Sequence, residues 1–257
     1  MNDIPLALRQ VKYENIAFWR NPAAAFFTCI FPLMFLVIFN LLFGKGDLKV
    51  EGGVTNLSTF YVPGIVCLSI ISACYTNVAI GMSFSRDRGI LKKVHGTPLP
   101  TWAFFFGRIV STVLVSALMV TVVMLAGVLF YGVEIPTNTM PCFIVTLILG
   151  AATFSTLGIA ISSILPNADS SPPVVNASIL PLLFISDVFI PMQDAPRWLN
   201  FLATIFPVKP FSSALHTAFN PFEKGLGFEG GYYCILIVWM AVGILTSVKF
   251  FSWEPRN

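Results

Sequence analysis

Charge is scarce in this chain. Only 11% of its 257 residues are Asp, Glu, Lys or Arg, while 56% are hydrophobic. A soluble domain carries roughly 25% charged residues. So little charge cannot coat a surface facing water, and the solvent for most of the chain is lipid. The net charge of +3 is too small and dispersed for a nucleic-acid footprint. Histidine is nearly absent: His95 and His216 fall on opposite sides of the expected membrane. Neither has a metal-ligand spacing to Cys, Asp or Glu. The motifs GxSxG, HExxH and GxxxxGK with a following Ser or Thr do not occur. The one Gly-Lys pair, Gly44-Lys45, lacks the upstream glycine of a phosphate loop. No catalytic residue and no metal ligand is therefore expected. If the protein is a pump, another chain supplies the nucleotide chemistry. The five cysteines, Cys29, Cys67, Cys74, Cys142 and Cys234, lie in apolar stretches without a CxxC and read as small packing residues.

Long apolar runs are what the chain has instead. Six stretches reach the ~20 residues that cross a bilayer: about 23–43, 58–83, 103–131, 141–165, 172–190 and 231–251. The first starts only after Pro22 and lacks a small-x-small exit, so it reads as a retained span and not a cleaved signal. The fifth is the shortest. Its two leading prolines suit a helix start, and Pro181 should kink it. With the N-terminus in the cytoplasm, ten Lys and Arg lie inside against five outside, densest between spans two and three. The outside five are Lys45, Lys49, Arg197, Lys209 and Lys224. The positive-inside rule thus places both termini in the cytoplasm.

Three segments are not simple loops. Residues 4–20 put Ile4, Leu8 and Val11 on one stripe with Arg9, Lys12 and Glu14 off it, then Phe18 and Trp19 at the boundary. That is the pattern of a helix lying in the headgroup plane. Residues 84–101 carry a short apolar face, Ile90, Leu91 and Val94, beside basic residues. This segment alone reads equally as an ordinary positive-inside loop. Residues 191–230 hold two apolar patches, around Trp198–Phe206 and Phe211–Phe219, too short to span and divided by Pro207 and Pro210. They fit two short re-entrant or interfacial helices outside the membrane. Span four carries Ala151, Ser155, Gly158 and Ser162 on one small face, suited to close helix contact within the chain or with a second subunit.

Ion-coupled carriers hold charges deep in the membrane. Here only Arg108 and Asp187 fall inside predicted ends. Arg108 can snorkel to the headgroups. Asp187 reads either as a helix-end carboxylate facing water or Arg197, or as a polar lining residue of an exit path. A six-span secondary carrier or channel is the alternative function, but no repeat relates residues 1–130 to 131–257. An intramembrane enzyme would need a His or carboxylate cluster at one depth, and none is present.

Four stretches carry a resemblance in their order along the chain: FWRNP from Phe18, FYVPGIV from Phe60, RDRGILKKVHGTPLP from Arg86, and LPLLFISDVFIPMQDAPRWLNFLATIFPVKPFSSAL from Leu180. Together they resemble the permease subunits of type-2 ATP-binding cassette transporters, an exporter group that moves drugs, antibiotics, lipids or glycans. One departure is clear. The family usually has glycine after the serine at the outer end of span five, whereas Asp187 follows Ser186 here. This puts close backbone packing at that point in question.

The resemblance implies an all-α membrane fold of six transmembrane helices. Residues 1–22 would form an amphipathic connecting helix and 23–257 the transmembrane domain. Residues 86–100 would form a cytoplasmic coupling helix that meets the ATPase through Asp87, Arg88, Gly89, Leu91 and Lys92. Asp87 and Arg88 would join a polar relay to the N-terminal helix. Residues 197–219 would be external re-entrant helices capping the exit, with Trp198 and Pro207. Spans two and five would line the path, with Phe60, Tyr61, Asn77, Asn176 and Asp187 as candidate cargo residues. The partners implied are two ATPase subunits carrying ATP and Mg, a second permease copy in a homodimer, and membrane lipid. No cofactor is expected on this chain, and its place would be the cytoplasmic (inner) membrane.

Overall fold

The computed structural model describes residues 3–43, 46–50, 53–133, 137–192, 195–223 and 225–255. Lys45, Lys224 and Arg256, which enter the orientation count, lie outside the described residues, as do Gln193 and Asp194 of the external segment. In chain order the helices are α1 (Asp3–Trp19), α2 (Pro22–Phe43), α3 (Leu57–Asp87), α4 (Ile90–His95) and α5 (Thr101–Tyr131). They continue with α6 (Met140–Ile164), α7 (Ser171–Phe184), α8 (Arg197–Ile205), α9 (Val208–Ala218) and α10 (Gly230–Phe250). An antiparallel hairpin joins α2 to α3. Its strands β1 (Asp47–Val50) and β2 (Gly53–Asn56) pair Asp47 with Asn56 and Val50 with Gly53. The fold is otherwise helical, as expected, and this short hairpin lies where the apolar-run pattern has ended.

Five helices, α2, α3, α5, α6 and α10, are long and apolar enough to cross a membrane. The fifth expected stretch differs. It was placed at 172–190, but α7 stops at Phe184 after 14 residues. At 1.5 Å per residue that is about 21 Å, short of a ~30 Å hydrocarbon core. The cause is local. Pro181 has no N–H for the carbonyl one turn back, and three residues after the helix ends Asp187 adopts a left-handed φ of 57°. The chain therefore turns where the apolar run continues.

α6 is packed on both sides. Its small face, Ala151, Ser155, Gly158 and Ser162, is buried against α3, so its partner lies within the chain. A side chain at position 158 would come within 2.8 Å of the Tyr75 carbonyl oxygen and 2.9 Å of the Cys74 carbonyl oxygen. Both carbonyls belong to a wide π turn, Ser72–Thr76, in the middle of α3. The opposite side of α6 meets α10, where Thr153 donates to the Leu236 carbonyl. A second π turn, Phe26–Ile30, lies in α2 just before Pro32. The proline ring would crowd the Thr28 carbonyl in a regular helix, and the wider turn relieves that. The two π turns pack against each other. Of the cysteines, Cys67, Cys74 and Cys142 are buried as packing residues, but Cys29 is only partly buried and Cys234 is exposed on α10. For Cys234 the packing expectation fails, because α10 turns that side away from α6.

Candidate functional site

The α4 end of the molecule is built on the last turn of α3. Val78, Met82 and Arg86 recur every four residues and share the buried face of that helix. Arg86 is 2% exposed. Its guanidinium donates to the Ser162 carbonyl at 2.9 Å and the Leu165 carbonyl at 2.8 Å. These oxygens belong to the last turn and C-terminal cap of α6, where a helix leaves carbonyls unpaired and favours positive charge. Asp87 continues the clamp. One carboxylate oxygen lies 3.4 Å from Arg86 Nε, and the other accepts the Ala168 backbone N–H in the turn leading to α7. Two adjacent side chains thus tie α3 to both α6 and α7. Arg88 points elsewhere: it is exposed, with its guanidinium 5.4 Å from the Phe84 ring centre.

Gly89 then turns the chain with φ of 69°, a conformation glycine adopts without strain, and α4 follows. Leu91 is buried in a small cluster with Val78, Met82, Phe104 and Ile159. Phe251 and Trp253 close that cluster from the residues after α10. Trp253 lies 4.8 Å from the His95 ring. Lys92 is exposed and pairs with Glu254 at 3.1 Å. α4 is thereby anchored on one face, while Lys92 and Lys93 stay at the surface.

α1 packs along the start of α5, with Ala7 and Phe18 buried. Ile4 and Leu8 of the expected apolar stripe are 69% and 62% exposed, so that stripe faces away from the protein. The polar link between α1 and the helices is Glu14 with Arg108, at 2.8 Å. Each side chain is only 14% exposed. Gln10 donates to the other Glu14 oxygen at 2.9 Å. Arg108 therefore does not snorkel outward as expected; a carboxylate inside the fold holds it. Gly81 makes the room, since a side chain there would lie 2.7 Å from the guanidinium. Asp87 is committed to Arg86 and Ala168, and the Glu14–Arg108 pair ties α1 to α5 rather than to α4.

Between α1, α2, α3, α5 and α7 lies a cavity of about 1110 Å³. Both π turns border it, through Thr28 and Ser72 among others. Asn77 and Asn176, two of the expected cargo residues, line it. Ser85, Arg88 and Ile90 line it as well, so the turn into α4 forms part of its wall. Phe60 and Tyr61 do not reach it. Phe60 stacks on His216 at 4.4 Å and Tyr61 on Phe39 at 5.0 Å, and both are buried.

At the opposite end, Asp187 pairs with Lys209 at 3.2 Å, not with Arg197. Arg197 opens α8, whereas Lys209 sits on the α9 turn that packs beneath residue 187. The Asp187 carboxylate also accepts the Met192 N–H at 2.7 Å, and its carbonyl lies 3.0 Å from His216 Nε2. Burial lowers the His216 pKa, with the Asp187 charge opposing. The left-handed φ at 187 explains why a glycine suits this position. Close backbone packing survives the substitution through the opposite helix: Gly64 of α3 meets the Val188 carbonyl, and a side chain there would lie 2.4 Å from its oxygen. Trp198 is exposed and shares an outward face of α8 with Phe201, Leu202 and Ile205, while Pro207 is buried where α9 begins.

The sequence matches the family described as ABC-2 type transporter over residues 8–220. The chain belongs to this family. It is 28% identical over 255 residues to a protein of Cyanophora paradoxa named as a transport permease, ycf38, covering 93% of this chain and 86% of that relative. It is 25% identical over 186 residues to the inner membrane transport permease YadH of Escherichia coli K12, covering 70% and 71%. A third relative, an Escherichia coli K12 protein named as a multidrug ABC transporter permease, YbhR, is 23% identical over 153 residues. That match covers 60% of this chain and 41% of YbhR. The chain is thus a multi-pass membrane protein and an ABC-2 permease.

For an ABC-2 permease, sequence reasoning missed three features. Arg86 was read as an inside charge opening the 86–100 segment and not as a buried clamp, although its four-residue spacing from Val78 and Met82 marks it as buried. Glu14 and Arg108 were not paired, although a charge within an apolar stretch needs a partner. The return of Phe251 and Trp253 onto α4 left no signal in local pattern.

Proposed function

We propose that this chain is the permease subunit of an ATP-driven exporter that moves an amphipathic cargo, a drug, antibiotic, lipid or glycan, across the cytoplasmic membrane. Family membership and the relatives named as transport permeases support the transporter reading. One observation carries the mechanism: Arg88 and Ile90, at the turn into α4, also line the 1110 Å³ cavity. A push on α4 changes the cavity wall directly.

In this reading the chain crosses six times, the fifth crossing made by α7 together with residues 185–190. Both termini are cytoplasmic. Two permease copies form a homodimer, and two ATPase subunits hold ATP and Mg. Of the segment Asp87, Arg88, Gly89, Leu91 and Lys92, the exposed Arg88 and Lys92 reach the ATPase, and the buried Leu91 supports them from within. ATP binding draws the ATPases together, and each presses on α4. Leu91 is buried and Trp253 packs against the same cluster, so α4 moves as a rigid lever. Arg86 and Asp87 pass the motion to α6 and α7, the elements they clamp. The cargo leaves toward α8 and α9, where Trp198 and Pro207 mark the exit cap.

The test is a cysteine at Lys92 in the assembled transporter. It should crosslink to an ATP-binding-cassette subunit and should be labelled from the cytoplasmic side only. Labelling from the outside, or purification without any ATPase, would overturn the proposal.

A further inference from the structure

The cavity carries a charge pattern that narrows its cargo. Four charged side chains line it: Glu14, Arg20, Arg88 and Arg108. Glu14 is spent on Arg108 at 2.8 Å. Arg20 and Arg88 remain, and among the described residues neither has a carboxylate within 4.0 Å. Arg88 is held over the Phe84 ring, which also lines the cavity. The positive-inside rule asks for cations in loops, not for a guanidinium seated on an aromatic face inside a cavity. The N-terminus of α2 also borders the cavity through Ala23 and Ala24, although Asn21 caps it by accepting the Ala24 N–H.

The walls change character along α3. Arg88 and Ser85 stand at one end and Leu68 at the other, about 30 Å away at the helical rise. Phe27, Phe31, Leu180 and Leu183 add apolar surface, while Ser72, Thr76 and Asn77 put polar groups on α3 between those ends. The volume exceeds the roughly 300–1,000 Å³ of ordinary small-molecule pockets. A charged end bordered by the start of α2 and an apolar end at Leu68 match the two parts of an amphiphile.

We infer that this cavity takes an amphiphile with an anionic head group, bound by Arg20 and Arg88 with its tail along α2, α3 and α7. This rests on the reading of the cavity as a cargo site. The proposal uses two arginines on different elements, so a single substitution separates binding from coupling.

The experiment measures equilibrium binding to the complete transporter in nanodiscs of zwitterionic lipid. The probes share a dodecyl tail: dodecyl phosphate, dodecyl maltoside and dodecyltrimethylammonium. Dodecyl phosphate should bind tightest. Arg20→Gln should weaken it about tenfold, the loss expected for one charge-assisted contact, and Arg88→Gln similarly. Dodecyl maltoside binding should not change in either variant. Arg20 lies outside the α4 turn, so its effect does not depend on ATPase contact. Equal binding of the three probes, or no response to either substitution, would overturn the anionic preference and leave the cargo site standing. Displacement by inorganic phosphate as effective as by dodecyl phosphate would show a bare anion site and overturn the amphiphile. If none of the probes binds, the cargo-site reading itself fails.

Discussion

Arg86 and Arg88 are two residues apart, yet the structure assigns them opposite weights. Arg86 is 2% exposed and gives two hydrogen bonds to carbonyls at the end of α6, at 2.9 and 2.8 Å. A hydrogen bond from a charged group contributes about 1.5–3 kcal/mol. Replacement by Met removes both and leaves the Ser162 and Leu165 carbonyls without that donor. It also leaves the Asp87 carboxylate without its neighbouring cation. The expected cost is about 3–5 kcal/mol, the range for breaking a buried charge network. That is a large share of a net stability of about 5–15 kcal/mol. Arg88→Met removes one contact between an exposed guanidinium and Phe84, about 0.5–1 kcal/mol. Arg86→Lys is the intermediate case, because an ammonium cannot reach both carbonyls in the fork geometry of a guanidinium. Thermal unfolding of the purified protein in one detergent gives the order. The midpoint should fall by about 2–4 °C per kcal/mol for a chain of this size. Arg86→Met is then clearly separated from Arg88→Met, with Arg86→Lys between them. Equal midpoints for the two Met variants would refute the assignment of Arg86 as the clamp.

Three further outcomes follow from the geometry. A double-mutant cycle of Glu14→Gln and Arg108→Gln should return a coupling of about 1–3 kcal/mol, between exposed and fully buried pairs; zero coupling in thermal unfolding would sever α1 from this account. Asp187→Ala keeps a left-handed backbone without the carboxylate and should lose about 2–3 kcal/mol, whereas Asp187→Gly relieves the backbone and should stay within about 1 kcal/mol of the parent. Should the two variants unfold together, φ is not what makes position 187 special. His216 stacks on Phe60, and burial lowers its pKa below the ordinary 6.5. The unfolded chain then takes up a proton at a pH where the folded ring stays neutral, so stability falls as pH drops below about 6.5. Hydrogen exchange in 208–218 should quicken over that window and lose its pH dependence in His216→Phe, compared after correction for intrinsic exchange rates.

The spans were readable because lipid imposes one demand, some twenty apolar residues in a row, and α2, α3, α5, α6 and α10 meet it within a few residues of their expected bounds. α7 escaped for the reason that apolarity and helicity are different properties. Ile185, Val188, Phe189 and Ile190 extend the apolar run, but Pro181 and the turn at Asp187 end the helix before it. At the α4 end the sequence located the segment and misdirected its bonds. RDR announces a polar junction without saying which member faces inward. That is decided by the register with Val78 and Met82, which turns Arg86 onto α6 and leaves Arg88 free for the cavity. The partners of Arg86 and Asp87 are backbone atoms of residues 162, 165 and 168. Every residue type offers the same carbonyl and nearly every one the same N–H, so no side-chain pattern can advertise them. A junction built on backbone acceptors has a consequence for the mechanism. Substitution at 162 or 165 leaves the acceptors in place, while a small shift of the α6 end misaligns both bonds at once. The clamp therefore responds to helix position more than to side-chain identity, which is what the proposed lever joining α4 to the spans would require.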